Sequence, residues 1–318
     1  MKGREKEMAE KKATRMGYGE ALADLGSKYD FFVMDADLSK STMTDLFRQK
    51  HPDRFFNSGI AEANMMSVAA GMASTGTPVF VSSFAMFVCE RAFEQIRNSV
   101  AYPHLNVKIG ASHAGITVGE DGATHQCNED IALIRSLPGV TIINPADAVE
   151  AYAAVEAALK IDGPVYLRLG RYAVPTVFDK ETYEFRPGEA VVLEDGSDVA
   201  IMATGIMVAE ALEARRLLKE EGIDAAVINV HTIKPLDKDT IVKYAEKCKY
   251  VVTAEEHSII GGLGSAVCEA VAESCDARVL RIGINDEFGH SGPAGELINQ
   301  FELNGAAVAE KIKKFLGK

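Results

Sequence analysis

The feature that most constrains the fold is a regular alternation of short apolar runs and longer helical stretches between residues 31 and 169. The apolar runs are nearly continuous, which is typical of strands buried on both faces of a parallel sheet. They are FFVMDADL, PVFVSS, NVKIGAS, VTIINP and PVYLRL. The stretches between them are long enough for crossover helices: EANMMSVAAGMAS, FAMFVCERAFEQIRNSV, NEDIALIRSL and AVEAYAAVEAALK. This alternation predicts right-handed βαβ units in a doubly wound α/β domain.

A second, smaller α/β domain is predicted after a break in this pattern. From Arg171 to about Asp198 the alternation stops, and prolines, charges and an EDGS turn signal favour a linker over the surface. Beyond it DVAIMAT, AAVINV, YVVTAE and RVLRIG have the pattern of further buried strands. We place the first domain at 1–172, the linker at 173–195 and the second domain at 196–318.

Composition excludes several classes of function. The 318 residues include 46 acidic and 34 basic side chains, a net charge of −12, which opposes binding to nucleic acid or to an anionic membrane surface. No apolar run reaches membrane-spanning length. The amino-terminal MKGREKEMAEKKATR is charged and precedes no apolar stretch, so it predicts a surface segment rather than a secretory signal. Five scattered cysteines without a CxxC pair favour a reduced, cytoplasmic compartment.

The densest polar cluster inside the first domain is SHAGITVGEDGATHQ, residues 112–126. It follows a predicted strand, and open α/β sheets bind ligands at the carboxyl ends of their strands. Two histidines and two acids supply hydrogen-bonding groups, some of which titrate near neutrality. The alternative is a surface loop whose polar residues cap a helix. His113, His125 and Cys127 match no zinc template, so we predict no metal ligation by this chain.

Glu62 opens the most apolar helix of the chain. A carboxylate at the edge of such a segment is expected to be partly desolvated, which suits it to exchange a proton. The alternative is an acid placed favourably at a helix N-terminus. Further along, Phe84 and Phe87 are three residues apart in SSFAMF and could form a stacking wall for a flat ligand, or belong to the ordinary core.

Several residues of different loops are candidates for contacts with an anion. Arginine holds phosphate well, although an isolated arginine is usually a solvated charge. The candidates are Arg15, Ser41, Arg168 and Arg171. The run GGLGS at 261–265 suggests a phosphate loop, but it lacks the Walker lysine and a GxGxxG frame, so close helix packing is favoured.

Taken together, these segments resemble the transketolase family. GEDGATHQ, preceded by SHAGIT and followed by SLPGVTIINPADAVE, is similar to the pyrimidine-binding domain of transketolases, and GIAEANM and SSFAMF fit the same domain. The runs ATGIMVAEALEA, INVHTIKPLD and EEHSIIGGLG resemble the carboxyl-terminal domain shared by transketolases, deoxyxylulose-phosphate synthases and 2-oxo acid dehydrogenase beta subunits. The resemblance covers nearly the whole chain.

A missing motif shapes what the resemblance implies. Full-length transketolases carry a GDG motif in an amino-terminal domain that holds the thiamin diphosphate phosphates and a divalent metal, and no GDG occurs in these 318 residues. The chain therefore resembles the carboxyl-terminal subunit of a split transketolase. A separate amino-terminal subunit would hold the diphosphate and Mg²⁺ or Ca²⁺, and two copies of each chain would form a heterotetramer.

The implied activity is transfer of a two-carbon ketol unit between sugar phosphates of the pentose phosphate pathway, by the two subunits together. Two alternatives remain open. One is a 2-oxo acid dehydrogenase beta subunit, whose family shares the glutamate and the second domain. The other is a non-catalytic regulatory half that only binds the amino-terminal subunit.

The resemblance also implies roles for individual residues. Glu62 matches the glutamate that hydrogen-bonds to the cofactor's pyrimidine ring and promotes its proton transfer. Phe84 and Phe87 match the aromatic side chains around that ring, and Ile60 matches a residue that supports the bent cofactor. His125 and Asp121 match the groups that bind the sugar hydroxyls nearest the reacting carbon and stabilise alkoxide charge as it develops, which gives His125 a catalytic role beside Glu62. The positions that bind the sugar phosphate correspond to His113, Arg171, Arg15 and Ser41.

Two positions depart from the family pattern. The aspartate that usually follows the first loop histidine is Ala114 here, and the aromatic residue that often lies six positions after Phe84 is Glu90. Both bear on substrate choice more than on reaction class. The runs AGIT and GATH are similar to those of deoxyxylulose-phosphate synthases.

Overall fold

The structure, a computed structural model, describes residues 11–318. The surface segment expected at the amino terminus falls largely on residues 1–10, which lie outside the described residues. The strands are β1 (Lys11–Lys12), β2 (Phe32–Asp35), β3 (Phe55–Asn57), β4 (Val79–Phe84), β5 (Val107–Ser112), β6 (Thr141–Ile143), β7 (Val165–Arg168), β8 (Val174–Pro175), β9 (Val191–Glu194), β10 (Val199–Ala203), β11 (Ala225–Asn229), β12 (Thr232–Lys234), β13 (Tyr250–Ser258) and β14 (Arg278–Ile284).

The α-helices surround these strands, and 3₁₀ and π-helical turns complete the helical segments. The α-helices are α1 (Thr14–Leu25), α2 (Ser39–Thr42), α3 (Asp45–Lys50), α4 (Glu62–Ala73), α5 (Phe93–Gln95), α6 (Asp130–Arg135), α7 (Ala148–Lys160), α8 (Met207–Glu220), α9 (Lys238–Cys248), α10 (Leu263–Ser274), α11 (Ala294–Gln300) and α12 (Gly305–Leu316). Side-chain caps fix some of their starts. Asp147, for example, accepts a hydrogen bond from the Glu150 amide at the start of α7.

The first domain contains a seven-stranded sheet in the order β12-β6-β7-β5-β4-β2-β3. Strands β2 to β7 pair in parallel, and β12 joins β6 antiparallel. Every residue of β4 and β5 is buried. Along β4 the side chains alternate between two apolar clusters, since Val79 and Val81 belong to one and Phe80 to the other. Helices therefore cover both faces, and the predicted doubly wound parallel domain is confirmed.

The second domain has a five-stranded sheet in the order β14-β13-β10-β11-β9. All neighbours are parallel except β9, which lies antiparallel to β11 at the edge. The side chains of strand β10 also alternate between two apolar clusters, with Ile201 in one and Met202 in the other. The predicted second α/β domain is therefore also confirmed. Strand β12 belongs to this part of the chain but pairs with β6, so the two domains share a sheet connection.

The structure differs from the sequence prediction in several elements. The predicted linker contains β8, which pairs with β1, and β9, a four-residue edge strand whose side chains alternate in exposure. The sequence analysis missed β12, which is only three residues long. The long helix predicted for FAMFVCERAFEQIRNSV begins after Phe84 and consists mainly of two π-helical segments, Met86–Arg91 and Ile96–Ala101.

Across residues 11–318 the helices are too short or too polar to cross a membrane. The five cysteines are all unpaired thiols.

Candidate active site

Three predicted site residues follow neighbouring parallel strands of the first sheet. Phe84 ends β4, His113 directly follows β5, and Arg171 lies three residues past the end of β7. Phe84 and Ser112 are paired in register, so the ends of β4 and β5 are level. The sheet therefore brings these side chains to the edge where parallel α/β sheets bind ligands.

Phe84 and Phe87 form an aromatic wall with the two histidines of the 112–126 loop. The rings of Phe84 and His113 are stacked with centroids 3.8 Å apart, and those of Phe84 and Phe87 are stacked at 5.7 Å. His125 meets Phe87 edge to face at 5.2 Å. Phe87 is only half-buried, so this pair lines a surface rather than filling the core.

Glu62 lies in the first turn of α4 and is only 4% exposed. The helix behind it packs Met65 and Met66 into the core, which leaves the carboxylate at the rim of an apolar region. Its Oε1 lies 3.4 Å from Nη1 of Arg91. The Arg91 guanidinium also lies over the Phe87 ring, 4.5 Å from its centroid. Arg91 thus connects Glu62 to the aromatic wall.

His113 is buried at the other side of the wall and has a left-handed backbone (φ +58°), a conformation that is uncommon outside glycine and frequent at functional sites. Its Nε2 lies 3.2 Å from Nη1 of Arg15, and its Nδ1 lies 2.9 Å from Oγ of Ser112. Because arginine can only donate, Nε2 is the acceptor and Nδ1 carries the proton. Burial, followed by the positive charge of Arg15, lowers the pKa of His113 to about 3.

Arg15 is a positive group without a carboxylate partner among residues 11–318. Its Nη1 donates to the backbone carbonyl of Ser41 at 2.8 Å, and its Nε is buried without a hydrogen bond. Burial, and then the charge of Arg171, lowers the pKa of Arg15. Two guanidinium groups therefore lie near each other, and no acid of the described residues pairs with Arg15. Such an arrangement suits a bound anion.

The remaining predicted substrate residues lie on the outer part of the loop. Arg171 donates to the carbonyl of Val118, and its Nη1 lies 3.4 Å from Oε2 of Glu120 and 3.9 Å from Oδ2 of Asp121. Asp121 is exposed, and His125 is half-buried with its Nδ1 2.9 Å from Oγ1 of Thr124. These polar groups lie open to a ligand.

Arg168, a further predicted anion contact, has a different place. It is 3% exposed, and its Nε lies 3.0 Å from Oδ2 of Asp130. Its Nη2 donates to the carbonyls of Cys127 and Glu256. The prediction was wrong for Arg168, because a buried acid and two carbonyls already use its donors.

The GGLGS turn also binds an acid of this chain. The buried carboxylate of Glu255 accepts hydrogen bonds from the amides of Leu263 and Gly264, both at 2.7 Å, at the start of α10. A Cβ on Gly262 would lie 2.0 Å from the same carboxylate, so the glycine is required by close packing. The turn is packed closely against its own chain, as the sequence analysis favoured.

Glu90 lies where the family often has an aromatic residue. Burial, and then the nearby Glu129 carboxylate, raises the pKa of Glu90 to about 7. The Cys127 thiol lies 3.8 Å from its Oε1, and Glu90, Cys127 and Glu129 each place one possible ligand atom within 4.8 Å of the others. This grouping differs from the histidine and cysteine set considered in the sequence.

The second domain contributes contacts that the sequence analysis missed. Oε1 of the buried Glu256 accepts a hydrogen bond from the Thr117 amide at 2.6 Å. A Cβ on Gly115 would lie 2.3 Å from the Glu256 carboxyl carbon, and this glycine also has φ +79°. Nε2 of Gln126 donates to the carbonyl of His290 at 3.0 Å. The 112–126 loop is therefore held from behind by the second domain.

The residues present fit the ring half of thiamin diphosphate. A rim carboxylate, Glu62, and a partly open aromatic ring, Phe87, can receive a flat heteroaromatic group by hydrogen bonding and stacking. Ile60 is 78% exposed beside Glu62 in the sequence, which makes it available to another molecule.

Comparison with known proteins matches both domains. Residues 10–176 match the model of the transketolase pyrimidine-binding domain, and residues 188–308 match that of the transketolase C-terminal domain. A protein of Methanocaldococcus jannaschii, named provisionally as a transketolase C-terminal section, is 49% identical over 96% of this chain and 97% of its own length. A 6-deoxy-6-sulfo-D-fructose transketolase subunit of a Clostridium strain is 43% identical, covering 92% and 90%. Human transketolase is 37% identical over 98% of this chain, which spans 50% of the human protein.

Solved structures agree with this assignment. One described as a split-gene transketolase, an inactive β4 tetramer, has 49% sequence identity and a TM-score of 0.89, covering 96% of this chain and 98% of that one. The transketolase of Leishmania mexicana has 25% identity and a TM-score of 0.82, covering 96% and 46%. This chain belongs to the transketolase family of transferases and corresponds to the carboxyl-terminal section of its members.

Proposed function

We propose that this chain is the carboxyl-terminal subunit of a two-chain, thiamin-diphosphate-dependent transketolase that moves a two-carbon ketol unit between sugar phosphates. The observation that carries the proposal is the placement of Glu62, the Phe84–Phe87 wall and the Arg15–His113 pair at one edge of one sheet. The names of the M. jannaschii relative and of the split-gene structure support a division into two chains.

In this proposal Glu62 controls a proton at the cofactor ring. When bound, thiamin diphosphate supplies the nucleophilic carbon that accepts and releases the ketol unit. Glu62 would share a proton with a ring nitrogen through one of its carboxyl oxygens, and Phe84 and Phe87 would keep water away from that hydrogen bond. Hydrogen bonds are stronger in such an environment than in water.

The substrate is held along the same edge. His125 and Asp121 bind the hydroxyl groups near the reacting carbon, where donors stabilise developing negative charge. Arg15, His113 and Arg171 bind the anionic end of the sugar, joined by Ser41, whose carbonyl already positions Arg15. Neutral His113 receives a hydrogen bond from Arg15 and so orients that guanidinium toward the anion.

The amino-terminal subunit supplies the diphosphate and metal site in this proposal, and a second copy of this chain completes a heterotetramer in the cytoplasm. Ile60, just before α4, and Val68, within α4, are exposed apolar side chains. Their exposure is consistent with a surface that another chain covers. The relatives reported above are named as transketolases or as their sections or subunits, which favours this proposal over the 2-oxo acid dehydrogenase alternative.

The proton role of Glu62 is tested by Glu62→Gln in the complex with the amino-terminal subunit. Because a positioned proton transfer contributes about 10² to 10⁴ in rate, we expect kcat for xylulose 5-phosphate plus ribose 5-phosphate to fall by that order. Glu94→Gln is the matched control, since Glu94 is exposed and accepts a hydrogen bond from the side chain of its neighbour Gln95. Unchanged turnover of the Glu62 variant, or turnover of pyruvate with an electron acceptor instead of sugar transfer, would contradict the proposal.

A separate assay tests whether the donor sugar carries a phosphate or a sulfonate at its anionic end. The 43% identical relative is named for a sulfonated fructose, and a sulfonate presents oxygens to arginine much as a phosphate does. Initial rates with a phosphorylated ketose, its sulfonated analogue and the unsubstituted sugar rank the three donors. We expect the phosphorylated donor to have the highest kcat/KM and the unsubstituted sugar the lowest.

A further inference from the structure

Arg91 makes two contacts at once in the ring half of the site. Its Nη1 lies 3.4 Å from Oε1 of Glu62, and its guanidinium carbon lies 4.5 Å from the centroid of the Phe87 ring. A guanidinium is flat, delocalised and rich in N–H donors, so it can stack on an aromatic face while it pairs with a carboxylate. Arg91 uses both abilities here.

The same two groups are the ones that the proposed function assigns to the cofactor ring. An aminopyrimidine is likewise flat, stacks on aromatic side chains and hydrogen-bonds to a carboxyl group through a ring nitrogen, with one proton shared between the two. Arg91 therefore contacts the same carboxylate and the same aromatic ring that the proposed function assigns to the cofactor.

The local fold explains how Arg91 reaches this position. Arg91 is the last residue of the π-helical segment Met86–Arg91, which also carries Phe87. Residues four positions apart lie on the same side of such a wide helical turn, so one segment presents the ring and the guanidinium together. Short π-helical segments are rare and occur often at functional sites.

We propose that Arg91 competes with the cofactor ring for Glu62 and Phe87 and is displaced when thiamin diphosphate binds. This inference rests on the proposed function. It assigns Arg91 as the residue that lowers cofactor affinity and keeps Glu62 paired until the cofactor arrives.

The contact is suited to displacement because it is weak and open to solvent. The Arg91 side chain is 56% exposed, and 3.4 Å is long for an ion pair with hydrogen bonding. Exposed ion pairs and exposed cation–π contacts each contribute little free energy. The guanidinium can move into water, and the cofactor ring would then replace it as the partner of the buried Glu62 carboxyl group.

The experiment measures thiamin diphosphate binding to the complex of this chain with its amino-terminal subunit, by isothermal titration calorimetry at saturating Mg²⁺. Since the apparent Kd equals the intrinsic Kd divided by the fraction of the protein that is free of the Arg91 contact, Arg91→Ala should lower the Kd about three- to tenfold. Arg91→Gln, which keeps most of the side chain but not the charge, should shift the Kd in the same direction. Arg97→Ala is the matched control, because Arg97 is exposed and hydrogen-bonds to Asn98.

The outcomes separate this inference from the proposed function. If the wild-type complex binds the cofactor and both Arg91 variants bind it equally or more weakly, Arg91 is not a competitor and the inference is overturned while the proposed function stands. If neither the wild type nor the variants bind thiamin diphosphate, the proposed function and the inference fall together. Tighter binding by both variants, with Arg97→Ala unchanged, supports the inference.

Discussion

At the scale of single residues, the site depends on a histidine that stays neutral. Burial and the charges of Arg15 and Arg171 lower the pKa of His113 to about 3, so its Nε2 is an acceptor at every physiological pH. An imidazolium at this position would have no lone pair for Arg15 and would add a third positive charge. Neutral His113 instead holds Arg15 in place by accepting its hydrogen bond. An acid in this position would compete with an anionic ligand for Arg15.

We predict that His113 does not titrate between pH 5 and 8. In ¹⁵N-edited NMR of the histidine rings, its Nδ1 should remain protonated and its Nε2 unprotonated throughout this range. The unfolded chain protonates this histidine near pH 6.5 and the folded chain only near 3. The stability it contributes is therefore complete above pH 6.5 and is lost as the pH falls from there toward 3.

A titration of the His113 ring with a midpoint above pH 5 would contradict this prediction. His125 lies half-buried on the same loop and provides the internal comparison in the same spectra.

At the scale of elements, the 112–126 loop is held by the domain behind it as well as by its own strands. Glu256 of β13 accepts from the Thr117 amide, and the amide of Ser258, at the end of the same strand, donates to the Asn128 carbonyl at 2.7 Å. Gln126 reaches the His290 carbonyl from the loop side. The second domain thus positions the loop that carries both predicted substrate histidines.

We predict that Glu256→Ala loosens this loop while Glu256→Gln largely preserves it. Losing a hydrogen bond to a buried charged or polar acceptor costs about 1.5–3 kcal/mol, so amide hydrogen exchange at Thr117 should become about 10- to 100-fold faster in the alanine variant. The glutamine variant keeps an acceptor oxygen, and its exchange should stay within a few fold of wild type. We expect the KM for sugar phosphate to rise more than kcat falls in the alanine variant.

Equal exchange rates at Thr117 in the wild type and in Glu256→Ala would show that the loop does not depend on this contact. A parallel change in the glutamine variant would point to packing rather than to the hydrogen bond.

The elements also show what a sequence can and cannot predict. The continuous apolar runs of β4 and β5 predicted a buried parallel sheet correctly, because burial on both faces leaves a strong local signal. The edge strand β9 alternates in exposure and lies among prolines and charges, so it resembled a linker. The π-helical segments after Phe84 have nearly the apolar spacing of an α-helix, so periodicity alone did not separate them.

The same contrast between local and long-range signals applies to the candidate site. Loop residues at strand ends, such as His113 and Arg171, were predicted as candidates because their position and residue type both point to a ligand, and the structure places both at the same edge of the sheet. Glu256 was missed because it lies about 140 residues from the loop it holds, and nothing local marks a long-range acceptor. Arg168 was assigned to an anion because the sequence does not show that Asp130 is its partner.

At the scale of the whole molecule, our proposal places the cofactor ring and the anionic end of the sugar on the described residues and leaves the cofactor's diphosphate to another chain. The chain carries a net charge of −12 and no GDG motif, so we expect it to bind a diphosphate and its metal only weakly on its own. Affinity for the cofactor should then depend on assembly.

We predict that the isolated chain binds thiamin diphosphate at least about 100-fold more weakly than the complex with the amino-terminal subunit, because two or more charge-assisted hydrogen bonds to phosphate are missing. Titration calorimetry on each species, with light scattering to report its mass, measures both the affinity and the assembly. Adding the amino-terminal subunit to the isolated chain should restore tight binding and sugar transfer together. Full turnover by the isolated chain, or cofactor binding of equal strength before and after mixing, would show that this chain holds the diphosphate itself and would contradict the division of the site between two polypeptides.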